Sequence, residues 1–338
     1  MRTQFCTATL LTCAMCTAQD FSAMEAALRL EAKPGISVAI TRGTEVIYQK
    51  AFGVASKETS SPVTPDMLFR LGSTTKMITA ATLLSFVDEG KFDLQAPISR
   101  YVQGLPACLG AVTAHQLLTH TAGMKDVAPM FGSHDDSALE ANVRSWREDY
   151  CEGAAGKQFK YSNPSYVLAG YLSQVLSGKP FADTVLERIL IPLGMTHSTF
   201  RPTMAMTYPL AEGHDKDGKI IRPAADYAGA WPAGSLFSNT GDLSRWMIAV
   251  LNKHFAPAIS KPYVAKVKSE ATQYGYGLDI RGEGKARILE HAGDRDGYGS
   301  FIRMYPEQRV GIVMLGNWTT AKFPRSLHAA AAALSLPE

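Results

Sequence analysis

The apolar residues after position 20 first recur at helical spacing. Met24, Ala27, Leu28 and Leu30 follow "SAME" at Ser22 to Glu25, which fits a capping box, and "KPG" stops the run. The spacing predicts an N-terminal helix. Two β-branched, apolar runs follow, "GISVAI" and "EVIYQKAFGV", joined by "TRGT", and they predict an antiparallel hairpin. The far end of the chain mirrors this: "YGSFIRMY" and "VGIVMLGN" flank a turn at "PEQR", and "SLHAAAAALSL" closes as a helix. Strands near both ends with helices outside them predict one antiparallel sheet built from the two ends. The middle is mostly helical. Ser73 to Glu89 carries Met77, Ile78, Ala81, Leu84 and Val87 at helical spacing behind Ser73, which has the side chain of an N-cap. "NPSYVLAGYLSQVLSG" predicts a second long helix ending at Gly178. No repeat, low-complexity tract or linker divides the chain. The expectation is an α+β fold: one domain over residues 19–338, with a helical subdomain inserted within about 80–230.

Composition narrows this picture. The chain has 338 residues, 46% hydrophobic and 19% charged, enough for a sizeable core. The net charge of +3 comes from 34 basic and 31 acidic residues scattered without a run of one sign. Neither nucleic acid nor an anionic membrane surface is therefore an expected partner. Residues 1–18 of "MRTQFCTATLLTCAMCTAQ" resemble a secretory signal with a cut after Ala18, which makes a secreted or periplasmic protein the expectation. Cys6, Cys13 and Cys16 fall in this leader. The Cys13-x-x-Cys16 pair lacks the βαβ pattern that a redox reading needs. Cys108 and Cys151 remain, and the sequence leaves their pairing open.

The candidate chemistry begins at Ser73 and Lys76. A chain of this length contains on the order of one S-x-x-K by chance, so the pair needs partners. A serine hydroxyl is a poor nucleophile without a base, and a lysine three residues on along a helix lies on the same face. Lysine becomes a useful base only if its surroundings lower its pKa. "FKYSNPSY" supplies Tyr161, a phenol able to relay a proton, and Asn163, an amide able to orient a substrate carbonyl or the lysine. "LEHAGDRDGYGSF" supplies His291, Ala292, Gly293 and Asp294 on an expected strand. There a glycine admits close approach, and the N–H of Asp294 together with that of Ser73 can hold an oxyanion. His291 is either a substrate contact or a core histidine.

The three segments S-x-x-K, Y-S-N and H-A-G occur in one order, together with "VTAHQLLTHTAGM", "PLGM" and "PAGSLFSNTGDL". The set resembles the serine β-lactamase and DD-peptidase superfamily, in the branch of class C β-lactamases and related esterases. That resemblance implies a β-lactamase/transpeptidase-like fold, an antiparallel sheet flanked by helices with an all-helical subdomain. It implies Ser73 as acylated nucleophile, Lys76 and Tyr161 as the proton-transfer pair, and Asn163 with His291, Ala292, Gly293 and Asp294 as substrate-binding residues. Which of Lys76 and Tyr161 takes the serine proton stays open. No cofactor and no metal are implied: "DKDG" at Asp215 to Gly218 lacks the rest of a calcium loop, and His115 and His120 lack the H-E-x-x-H spacing. The expected function is an exported serine hydrolase acting on ester, amide or β-lactam acyl donors. The alternative is a DD-carboxypeptidase, or a penicillin-binding or regulatory protein with little turnover. The expected partner is a small-molecule or peptide substrate, and the expected state is a monomer. His291 stands where many relatives have a lysine, which weakens recognition of an anionic substrate, and Arg295 and Arg303 are candidates to restore the charge.

Overall fold

A computed structural model describes residues 19–127, 132–222, 226–252, 257–265 and 272–337. The expected leader, residues 1–18, lies outside the described residues. The strands in chain order are β1 (Gly35–Arg42), β2 (Glu45–Gly53), β3 (Phe69–Arg70), β4 (Phe237–Ser238), β5 (Val264–Ala265), β6 (Gln273–Tyr274), β7 (Asp279–Arg281), β8 (Ile288–Arg295), β9 (Tyr298–Tyr305) and β10 (Val310–Gly316). Eight of them form one antiparallel sheet in the order β2-β1-β10-β9-β8-β7-β6-β5. β1 therefore pairs with its hairpin partner on one side and with β10 from the far end of the chain on the other. β3 and β4 make a separate two-stranded pair.

The central strands are covered on both faces, which explains why "GISVAI" and "VGIVML" read as continuous apolar runs rather than alternating ones. Ile36, Val38 and Ile40 of β1 and Val310, Ile312 and Met314 of β10 pack with Met24, Leu28, Leu327 and Ala330 of the two terminal helices, Ser22–Glu31 and Pro324–Ala333. Ala39, Val313 and Leu315 face the other way, into a larger core with Trp246 and Met247 of the helix Thr240–Leu251. Between β3 and β4 the chain is helical, and its centre is the helix Thr75–Asp88, buried at every position from Thr75 to Leu84. A helix apolar all round belongs inside a protein. Its threonines are bonded internally, Thr79 to the carbonyl of Pro232 at 2.7 Å and Thr82 to that of Ile78 at 2.8 Å. No helix among the described residues is long and apolar enough to cross a membrane.

Two local expectations are corrected. Ser22 is the first helical residue rather than a cap; its N–H donates to Asp20 Oδ1 at 2.9 Å. Glu25, expected to close a capping box, instead accepts from Tyr48 Oη at 3.0 Å and pairs with Lys50 on the neighbouring strand. Tertiary partners outcompeted the local cap. Ser73 likewise does not cap the long helix. It sits in a 3₁₀ turn, Gly72–Thr74, that precedes the helix and makes no capping bond. Cys108 and Cys151 are joined by a disulfide, with Cα atoms 6.5 Å apart. "DKDG" forms the turn of a small hairpin, in which Asp215 accepts from the N–H groups of Asp217 and Lys219.

Candidate active site

The turn that carries Ser73 is held by the sheet. The hydroxyl of Ser300 on β9 donates to the carbonyl of Leu71 at 2.6 Å, and Thr74 Oγ1, 2.9 Å from Ser300 Oγ, donates to the same carbonyl at 2.9 Å. Two glycines let β8 lie against this turn. A Cβ on Gly293 would stand 1.9 Å from the carbonyl oxygen of Leu71, and one on Gly72 2.6 Å from the backbone nitrogen of Asp294. Gly72 also has φ +53°, a left-handed conformation that disfavours side chains. The close approach expected at Gly293 is thus made by the protein's own turn, before any substrate is considered. It brings the Asp294 backbone nitrogen beside Gly72, the residue before Ser73.

Three side chains converge at Ser73 from different elements. Lys76, one turn along the central helix, is fully buried. Its Nζ lies 3.1 Å from Ser73 Oγ, 2.8 Å from Asn163 Oδ1 and 2.6 Å from the carbonyl oxygen of Ala233. Tyr161 Oη donates to Ser73 Oγ at 2.8 Å from the loop before the helix Asn163–Ser177. Burial lowers the Lys76 pKa to about 7; the carboxylate of Asp126 opposes this and the guanidinium of Arg295 adds to it. Burial pushes the Tyr161 phenol upward, so it stays protonated near neutral pH.

Donor counting then fixes the proton arrangement when Lys76 is neutral. Asn163 Oδ1 and the Ala233 carbonyl can only accept, so they take both amine hydrogens. The nitrogen lone pair is left facing Ser73 Oγ, which donates its hydrogen to Lys76 while accepting that of Tyr161. Protonated Lys76 would instead donate to all three oxygens. The cluster accommodates both states of the lysine.

A cleft of about 750 Å³ opens beside Ser73 and Tyr161. His291, Ala292, Gly293 and Asp294 form part of its wall, with Phe159, Phe301, Phe323 and Leu327 supplying bulk. His291 is 5% exposed, and both ring nitrogens have partners: Nδ1 the carbonyl of Ala292 at 2.7 Å, Nε2 the hydroxyl of Tyr274 at 3.2 Å. A substrate oxygen must compete with these bonds to reach it. Arg295 does not line the cleft: it is 8% exposed, 3.9 Å from Asp226, which pairs with Arg70 at 3.0 Å. Arg303 does line it, held by Glu290 at 2.7 Å.

Sequence reading missed several members. Ala233 contributes only its backbone, Tyr274 has no motif around it, and Asp126 follows "HTAGM" without any periodic signal. His120, noted in the sequence only as lacking the spacing of a metal site, packs its ring 4.3 Å from that of Tyr161 and accepts from the N–H of Ser162 at 3.1 Å. Among the described residues Cys108, Glu148 and Cys151 are grouped closely enough to suggest a metal, but the cysteines are consumed by their disulfide.

With this geometry in place, residues 22–336 match the model of the Beta-lactamase family. The chain belongs to that family. Among curated relatives it is 25% identical over 317 residues to protein flp of Staphylococcus aureus (strain COL), a match covering 86% of this chain and 61% of that protein. It is 28% identical over 320 residues to the unguisins hydrolase ungD' of Aspergillus campestris, covering 85% and 59%. The chain thus spans about six tenths of the length of these relatives. The structure of the octameric penicillin-binding protein homologue from Pyrococcus abyssi is similar at a TM-score of 0.79 and 26% identity, covering 94% of this chain and 78% of that one. That of the D-alanine carboxypeptidase AmpC from Burkholderia cenocepacia is similar at 0.75 and 25%, covering 93% and 96%. The β-lactamase/transpeptidase fold is the one expected from the sequence. Members of the family with this fold are serine hydrolases.

Proposed function

We propose that the protein is an exported serine hydrolase that forms an acyl-enzyme on Ser73, with neutral, apolar esters or amides as its preferred acyl donors. The observation that carries the reading is the placement of Ser73 Oγ between Lys76 Nζ at 3.1 Å and Tyr161 Oη at 2.8 Å. Neutral Lys76 takes the serine proton as Oγ attacks the carbonyl carbon, and the backbone N–H groups of Ser73 and Asp294 hold the resulting oxyanion. Tyr161 gives its proton to the departing alcohol or amine and is reprotonated from Lys76. Water then attacks the acyl carbon and yields a proton to the same pair, which passes it to Ser73 Oγ as the acyl carbon–Oγ bond breaks and the acid departs.

Substrate preference follows from the walls. Phe159, Phe301, Phe323 and Leu327 offer apolar surface, while His291 is engaged and Arg303 is already paired. Lys322 also lines the cleft and is, among the described residues there, the cation left to meet a carboxylate, so the preference for neutral donors rests on the apolar walls. A D-amino-acid peptide or a β-lactam is the second reading, supported by the similarity to the Burkholderia carboxypeptidase. The Cys108–Cys151 disulfide suits the oxidising compartment implied by the leader. The mass of the exported protein tests the cut after Ala18.

The deciding experiment incubates wild type and Ser73→Ala with p-nitrophenyl esters of increasing acyl size and, separately, with a penicillin, following product and intact mass together. Wild type is expected to hydrolyse the larger apolar esters fastest and to gain an acyl mass on quenching, with Ser73→Ala doing neither. An adduct on Ser73→Ala overturns Ser73 as nucleophile. Reaction with penicillin alone moves the assignment to the second reading.

A further inference from the structure

Asp126 belongs to none of the catalytic motifs and does not line the cleft, yet it makes two hydrogen bonds with one residue of the site. Its Oδ1 accepts from the backbone N–H of Asn163 at 2.8 Å and from Asn163 Nδ2 at 3.0 Å. Asn163 opens a 15-residue helix, so its N–H is one of the donors that the helix leaves unsatisfied, and a carboxylate is favoured there. The second bond carries more information. An amide has one accepting and one donating end, and a carboxylate can only accept. With Nδ2 turned to Asp126, Oδ1 must point the other way, where it lies 2.8 Å from Lys76 Nζ. A flipped amide would set its oxygen against the carboxylate and its NH₂ against the lysine.

We propose that Asp126 is a positioning residue for acyl transfer, locking the amide of Asn163 so that its oxygen holds Lys76 in line with Ser73. The proposal rests on the acyl-enzyme reading above. It also gives Asp126 an electrostatic consequence. Lys76 is faced by Ser73 from the 3₁₀ turn, by Tyr161 from its loop, by Asn163 and Tyr166 from their helix, by the Ala233 carbonyl, and by the charges of Arg295 on β8 and Asp126. The two charges act in opposite directions: Arg295 disfavours the ammonium and Asp126 favours it. Removing the carboxylate therefore lets Lys76 lose its proton at lower pH.

The test compares Asp126→Asn and Asp126→Ala by kcat/KM against pH with the best ester substrate, alongside unfolding midpoints. Asp126→Asn keeps an accepting oxygen but no charge; its plateau rate is expected within about threefold of wild type, with the acid limb moved to lower pH. Asp126→Ala loses the acceptor as well, and its plateau is expected to fall about ten- to a hundredfold as the amide turns freely. A residue that merely caps the helix would lower the unfolding midpoint and leave the pH profile alone, so an unmoved limb in both variants with an intact plateau in Asp126→Ala overturns the proposal. If Asp126→Ala does not fold, the limb of Asp126→Asn decides. Ester hydrolysis that persists in Ser73→Ala overturns the underlying reading instead.

Discussion

Lys76 is the residue on which the proposed chemistry turns, because burying it does two things at once. It lowers the pKa to about 7, against an ordinary lysine value of 10.5, and so makes an amine available near neutrality. The acid limb of kcat/KM is expected to be centred near pH 7, with activity rising as Lys76 loses its proton; a limb absent between pH 6 and 8 would remove Lys76 as the base. The same shift has a stability cost with a definite sign. Between about pH 7 and 10.5 the folded state binds fewer protons than the unfolded state, so the contribution of this group to stability rises with pH across that window. Below the window the full penalty of a buried ammonium is present. Lys76→Met should therefore abolish acyl transfer and flatten the rise in unfolding free energy between pH 7 and 9, measured as the difference from wild type. A parallel pair of curves would contradict the shift.

At the scale of elements, the site depends on how closely β8 approaches the turn Gly72–Thr74. The missing side chains of Gly72 and Gly293 allow it, and Ser300 ties the turn to β9. Gly293→Ala places a methyl group against the Leu71 carbonyl, where only backbone can yield. It is expected to cost about 1–3 kcal/mol of stability and to depress kcat more than KM, since the misplaced groups are the proposed oxyanion donors and nucleophile. Chemical denaturation with steady-state kinetics checks both halves. A variant that loses stability with kcat intact would separate the packing from the chemistry. The Tyr161 loop is a second contact of this kind, steadied by the ring of His120 and the N–H of Ser162.

At the scale of the molecule, the sheet joins β1 from one end of the chain to β10 from the other, and the helical region hangs between β3 and β4. The disulfide fastens part of that helical region by closing a loop across a sequence separation of 43. Replacing both Cys108 and Cys151 by alanine is expected to cost up to about 4 kcal/mol on a chain-entropy estimate. Oxidised and variant proteins compared by denaturant titration would test it, and equal midpoints would show the link to be dispensable. The monomer is the proposed state, although one structural neighbour is octameric; sedimentation velocity over a concentration series distinguishes them.

The sequence by itself determined the elements whose signal is local: the β1–β2 hairpin, the β9–β10 pair, the terminal helices and the long helices starting near Ser73 and Asn163. It also determined the candidate chemistry, because S-x-x-K, Y-S-N and H-A-G each place reactive side chains next to recognisable helix starts or strands. Only the tertiary structure decided what those side chains do to one another. Ser22, Glu25 and Ser73 looked like caps, yet Glu25 found Tyr48 and Lys50, and Ser73 found Lys76 and Tyr161. Arg295 and Arg303 looked equivalent, yet one is buried against Asp226 and the other lines the cleft. The short strands β5, β6 and β7, the Ala233 carbonyl and Asp126 carried no periodic signal at all. The physical reason is common to these cases: hydrophobic periodicity specifies which face of an element is buried. A hydrogen bond across 37 or 157 residues depends on where two elements come to rest.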